Sequence, residues 1–96
     1  MKNEEIILNA RLDLMEQGII KGTGEYITIQ DEDGNEKTVE KPEELYTWAE
    51  WQLKGRQVRK RIPSIARIRI HKGSHMVNAF FWSKDQTDEI QRGMAR

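Results

Sequence analysis

At 96 residues the chain is the size of one domain, with room for a modest core and none for a deep cleft between domains. It has no cysteine, which excludes disulfides and thiolate zinc sites, and its apolar runs are too short for a membrane span or a signal-peptide core. A soluble cytoplasmic protein is the expectation. The formal charge is zero but unevenly laid out: residues 1–44 hold 5 Lys and Arg against 12 Asp and Glu, a net of −7, and residues 45–96 hold 11 against 4, a net of +7. Such segregation fits halves that pair with each other, or a basic face displayed to a polyanion.

In chain order, Ile6, Ile7, Leu8, Leu12, Leu14 and Met15 recur at roughly helical spacing, with Glu4 and Glu5 favouring the first turn. Asn3 is the expected N-cap and Gly18 the stop. Beyond Gly22 and Gly24, Tyr26–Ile29 and Thr38–Val39 read as a hairpin turning through Asp31–Asn35, where Asp33-Gly34-Asn35 tolerates positive φ. The acids there lack calcium-loop spacing and read as a solvated turn.

Thr47 and Glu50 have the spacing of a capping box. They predict a second helix from about Trp48 to Lys54, with apolar contacts from Leu45, Trp48, Trp51 and Leu53 and an end at Gly55. The period then changes. Ala66, Ile68 and Ile70 alternate with Arg67 and Arg69, which predicts a strand with an apolar inner face and a cationic outer one. A turn at Lys72–Ser74 leads into Val77, Phe80, Phe81 and Trp82, a further strand. Ser83 is expected to cap a short C-terminal helix through Asp88, Ile90 and Met94. Gly73-Ser74-His75-Met76 matches the remnant that tag cleavage leaves at an N-terminus, so His75 is given no functional weight.

The expected fold class is α+β: a small antiparallel sheet of four or five strands with an N-terminal helix, a short Trp-bearing helix and a short C-terminal helix. The strongest functional signal is the run from Lys54 to Lys72, which holds eight cations and no acid. Cations along an exposed strand and turn neutralise phosphates, and aromatics offer faces to unpaired bases. Arg56, Arg59, Lys60, Arg61, Arg67, Arg69 and Lys72 are the candidate phosphate contacts; Tyr46, Trp48 and Trp82 are the candidate stacking residues. Trp51, Phe80 and Phe81 are read as core.

Three segments, Thr47–Lys60, the Ile-rich strand and Ala79–Thr87, follow one another in an order that resembles the N-terminal single-stranded-DNA-binding domain of ArdC-type antirestriction proteins, over about half the chain. Thr47, Trp51, Gly55, Val58, Lys60, Phe81, Ser83 and Gln86 fall at corresponding places. The resemblance implies nucleic-acid binding in a phage, plasmid or other mobile element within a bacterial host. Where that family has a Lys-Gly-Glu turn this chain has Lys60-Arg61-Ile62-Pro63, so a different local backbone is expected. The His-Glu-x-x-His of the metallopeptidase-like domain found in full-length members is missing.

No catalytic residue, metal site or cofactor is assigned: the only imidazoles are His71 and His75, and the chain has no cysteine nucleophile, Gly-rich phosphate loop or paired metal-ligand motif. The expected partner is single-stranded DNA or RNA. The alternative is a small inhibitor of a host defence nuclease, of anti-CRISPR or antirestriction type, acting by surface occlusion or by its acidic Glu25–Glu44 segment imitating phosphate.

Overall fold

The computed structural model describes residues 2–90. It is α+β. Helix α1 (Asn3–Glu16) precedes a long hairpin of β1 (Gly22–Gln30) and β2 (Glu36–Pro42); then come β3 (Leu45–Tyr46), α2 (Trp48–Leu53), β4 (Arg56–Val58), β5 (Ala66–Lys72), β6 (His75–Ser83), a 3₁₀ turn at Lys84–Gln86, and β7 (Thr87–Glu89). The strands divide among three antiparallel sheets, β1-β2, β3-β6-β5 and β4-β7, where one sheet of four or five strands was expected. The extra strands are two or three residues long and exist only through partners distant in sequence, such as Leu45 opposite Ser83 and Val58 opposite Thr87.

The core lies between α1 and the β5-β6 ribbon. Alternation sends Ile68 and Phe81 inward, where they join Ile20 and Leu45; Ile6, Ile7, Ala10, Leu14 and Met15 of α1 close over them. The helix ends as Gly18 requires. Its φ of 78° lets its N–H reach the Met15 carbonyl (3.0 Å) while the Ile19 N–H reaches Leu14 (2.9 Å), the paired bonds of a Schellman motif. At the other end Lys2, not Asn3, holds the cap position. The Asn3 carboxamide is drawn instead to β5, donating to the His71 carbonyl (2.9 Å) and accepting from the His71 N–H (2.8 Å). Two such bonds tie the helix to the outer edge of the sheet, which outweighs a local cap.

Arg11 is the one buried charge among the described residues, 8% exposed. Its Nη2 donates to the Pro42 carbonyl (2.6 Å), its Nε donates to the Glu43 carbonyl (2.9 Å), and it pairs with the Glu44 carboxylate at 3.0 Å. A buried cation is tolerated only when its donors are satisfied in this way.

The two turns behave differently. Asp31 Oδ1 accepts from the Asp33 and Asn35 N–H groups, both at 2.9 Å, which closes the solvated β1-β2 turn as expected. Gly73-Ser74 is the two-residue loop between Lys72 and His75, with Gly73 at φ 64°, so the tag-like tetrapeptide is the working turn of the β5-β6 hairpin.

Around α2 the capping box forms: Glu50 N–H donates to Thr47 Oγ1 (3.3 Å) and Thr47 N–H to Glu50 Oε1 (2.9 Å). Leu45 and Trp51 are buried, but Leu53, expected to pack, is 87% exposed.

The expected C-terminal helix is replaced, within the described residues, by the 3₁₀ turn and β7; Met94 lies outside them. Gln86 and Thr87 explain the change. Gln86 accepts from the Ser83 N–H (2.9 Å) and donates to the Pro63 carbonyl (3.0 Å), while buried Thr87 donates to the Lys84 carbonyl (2.7 Å) as its strand pairs with β4. Ser83 does hold the cap position, but contacts with residues some two dozen or more positions earlier stop the helix after this one turn.

Replacing Arg11 with Met keeps the apolar stem but leaves two carbonyls and Glu44 without their donor. We expect a loss of roughly 2–4 kcal/mol, read as a lower urea midpoint with an unchanged slope; an unchanged midpoint would show that water satisfies the corner equally well.

Candidate nucleic-acid interface

The sheet β3-β6-β5 has a second face, turned away from α1. In register, Arg67 stands opposite Phe80, Arg69 opposite Asn78 and His71 opposite Met76, and all six are exposed. Directly opposed residues share a face, so a cation and an aromatic stand side by side. Phe80, read from the sequence as core, is 48% exposed. Trp82 continues the row on β6, and Trp48, 43% exposed, meets it edge-on at 5.9 Å between ring centroids. The Trp82 Nε1–H donates to the Ile62 carbonyl (3.0 Å), which brings the turn carrying Lys60 and Arg61 against this row.

The eight cations of the Lys54–Lys72 run separate into different roles. Arg56 donates to Thr87 Oγ1 (2.7 Å) and to the Thr87 carbonyl (3.2 Å), with Glu89 at 3.9 Å. Arg59 forks onto the Asp88 carboxylate (3.2 Å) and donates to the Asp85 carbonyl (2.8 Å). These two expected phosphate contacts therefore clamp β4 to β7 and the 3₁₀ turn. By contrast Lys60, Arg61, Arg67, Arg69 and Lys72 are exposed, and among the described residues none has an acidic partner. Lys54 sits over the Tyr46 ring, 4.3 Å from its centroid.

Of the expected stacking residues, Trp48 is exposed and Trp82 half-buried in this row. Tyr46 does not present itself as an open platform: its ring meets Trp51 edge-on at 5.0 Å and Lys54 covers it. Phe80 was missed. The signal was available in the alternation Val77–Trp82, which cannot send both Phe80 and Phe81 inward; Phe81 is buried and its neighbour must face out.

The residues behind the ArdC resemblance are mostly framework. Trp51, Val58, Phe81 and Ser83 are buried, Thr47 caps α2, Gly55 (φ 79°) ends it, and Gln86 ties Ser83 to Pro63; Lys60 alone is free on the surface. Arg61 occupies the position of that family's turn glycine at φ 63°. Arg61 holds this left-handed conformation at a steric cost of about 1–2 kcal/mol.

A separate cleft of about 510 Å³ opens on the other side of Tyr46, between the segment after α1, the C-terminal end of α2 and the 3₁₀ turn. Lys21 and Asp85 pair across its rim at 2.8 Å, both well exposed. The hydrogen bond to Asp85, then its charge, holds the Lys21 ammonium above the usual lysine range; the same bond holds the Asp85 carboxyl below the usual carboxylate range. Asp85 favours the closed pair above the ordinary carboxylate pKa and loses it as pH falls through its own lowered value. Lys21 favours the pair below the ordinary lysine pKa and loses it as pH rises through its raised value. Among the described residues no group of His, Asp or Glu is placed to hold a metal, and no helix is long and apolar enough to cross a membrane.

Two outcomes follow from this geometry. Arg61→Gly relieves the left-handed strain but gains unfolded-chain entropy, so we expect a net stabilisation of roughly 0.5–1 kcal/mol, whereas Arg61→Val should destabilise by more than that; thermal melts of the two variants decide. In a carboxyl-detected titration Asp85 should protonate below the ordinary carboxylate range, and Lys21→Ala should move it most of the way back.

Compared with protein-family models, curated proteins and solved structures, the chain matches none.

Proposed function

We propose that the chain binds single-stranded nucleic acid, with little sequence preference, across the outer face of β3-β6-β5. The supporting observation is the uncovered row in which Arg67 stands beside Phe80 while Arg69 and, on the adjoining turn, Lys60 and Arg61 lack acidic partners among the described residues; Lys72, four residues beyond inward Ile68, falls on the other face of β5 and does not contribute. Cations without partners need break nothing to meet a phosphate, and each contact releases a counterion. Phe80, Trp48 and Trp82 offer ring faces or edges to unpaired bases, which a duplex keeps stacked. Arg56 and Arg59 serve this surface indirectly, by holding β4, β7 and the turn before β5 in place. The ArdC-like order of residues adds the setting: a phage or mobile element acting against restriction in a bacterial cytoplasm.

Anisotropy titrations of labelled oligo-dT, its RNA counterpart and a matched duplex test this. Four phosphate contacts, from Lys60, Arg61, Arg67 and Arg69, predict a log–log salt slope of about −2.8 for a single strand, and Arg67→Glu/Arg69→Glu should make it shallower by roughly 1.4. Phe80→Ala should cost about 1–3 kcal/mol at any salt. Absence of binding to every probe at low salt would sink the proposal.

A second reading rests on the β1-β2 arm, which between Glu25 and Lys41 carries six acids against two lysines. An exposed acidic hairpin is suited to the basic groove of a host defence nuclease, where it would stand in for phosphates. Reversing Asp31, Glu32, Asp33 and Glu36 would then abolish inhibition and leave oligonucleotide binding intact.

A further inference from the structure

The cleft beside Tyr46 is chemically distinct from the sheet face. Three acids line it, and each is already satisfied: Glu43 accepts from the Lys21 N–H (2.8 Å), Glu44 pairs with Arg11 (3.0 Å), and Asp85 pairs with the Lys21 ammonium (2.8 Å). Arg56, also in the lining, is held by Thr87 and Glu89. What remains is two lysines that make no ion pair among the described residues, Lys54 and Lys84, the second close enough for its charge to act on Asp85, over a wall made by Tyr46 backed by buried Trp51. The volume lies in the range of small-molecule sites.

An unpaired positive rim above an aromatic wall selects a planar ring that carries an anion. We infer that this cleft takes one nucleotide unit, its base against Tyr46 and its phosphate between Lys54 and Lys84. The edge-on contact with Trp51 fixes the Tyr46 ring, so little rotamer freedom is lost when a base packs on it. Lys54 leaves the Tyr46 face at small cost, since an exposed cation–π contact contributes only about 0.5–1 kcal/mol. It then turns to the phosphate that replaces it. The rim pair Lys21–Asp85 is an exposed ion pair and opens as readily.

The inference rests on the single-strand reading for its choice of ligand, and the test separates the two. Thymidine monophosphate, thymidine, inorganic phosphate and oligo-dT are titrated into the full chain, with the Trp51 indole proton and the Tyr46 amide followed by NMR. The monophosphate should shift both signals and bind at least about tenfold more tightly than thymidine or phosphate alone, the size of one charged hydrogen bond. Lys84→Glu, at an exposed residue with no ion pair, should weaken the monophosphate by a similar factor; Lys54→Gln is the second variant. If Lys84→Glu also weakens oligo-dT, the nucleotide in the cleft belongs to the strand; if oligo-dT is unaffected, the cleft takes free nucleotide. Monophosphate binding no tighter than inorganic phosphate, or the same in both variants as in the unaltered chain, would overturn the site. Loss of oligo-dT binding in Arg67→Glu/Arg69→Glu with the cleft signals silent would leave the sheet reading standing without the cleft.

Discussion

Arg11 is withdrawn from water on the packing face of α1, and the Pro42–Glu44 corner makes that tolerable by offering two backbone carbonyls and a carboxylate. The corner is where the β1-β2 arm ends and the Trp-bearing unit begins. By holding the corner, Arg11 sets where Leu45 enters the core and where Tyr46 pairs with Trp82. The same helix is tied to β5 by Asn3 at its start and seals the inner face of β5-β6 with its apolar side. With one face of that sheet closed by α1, the alternation of the strands leaves the other face to solvent, and the row of Arg67, Arg69, Phe80 and Trp82 is the result.

The acidic and basic halves meet in the fold at selected points. Arg56 and Arg59 meet Glu89 and Asp88 within the basic half, Arg11 meets Glu44 within the acidic half, and among the described residues only Lys21–Asp85 bridges the two. The halves therefore do not neutralise each other. The acidic arm and the cationic sheet face stay separately displayed, which is why nucleic-acid binding and acidic mimicry draw on different residues and can be tested apart.

The candidate interface was partly legible. Arg67 and Arg69 pointed outward as their alternation with Ala66, Ile68 and Ile70 required, because period-two patterning carries facing directly. Arg56 and Arg59 looked equivalent to them in the run, but their partners lie about thirty residues on, in a strand of three residues that no propensity marks. Phe80 was legible in principle, since its neighbour Phe81 already filled the inward position. Arg61 was not legible: nothing local marks an arginine for the left-handed region, and the surrounding loop holds it there at φ 63°.

By itself the sequence determined the elements whose signals are local: α1 and its Gly18 stop, the capped α2, the Asp31–Asn35 turn, and the two-faced strand β5. These depend on periodicity, capping and turn chemistry, which act over a few residues. Only the tertiary structure decided that the strands form three sheets, that Thr87 joins β4 in place of a helix, that Arg11 is buried, and which cations remain unpaired. Each of those outcomes is a choice of partner across a distance in the chain, and a side chain's partner is set by where the packed elements bring it.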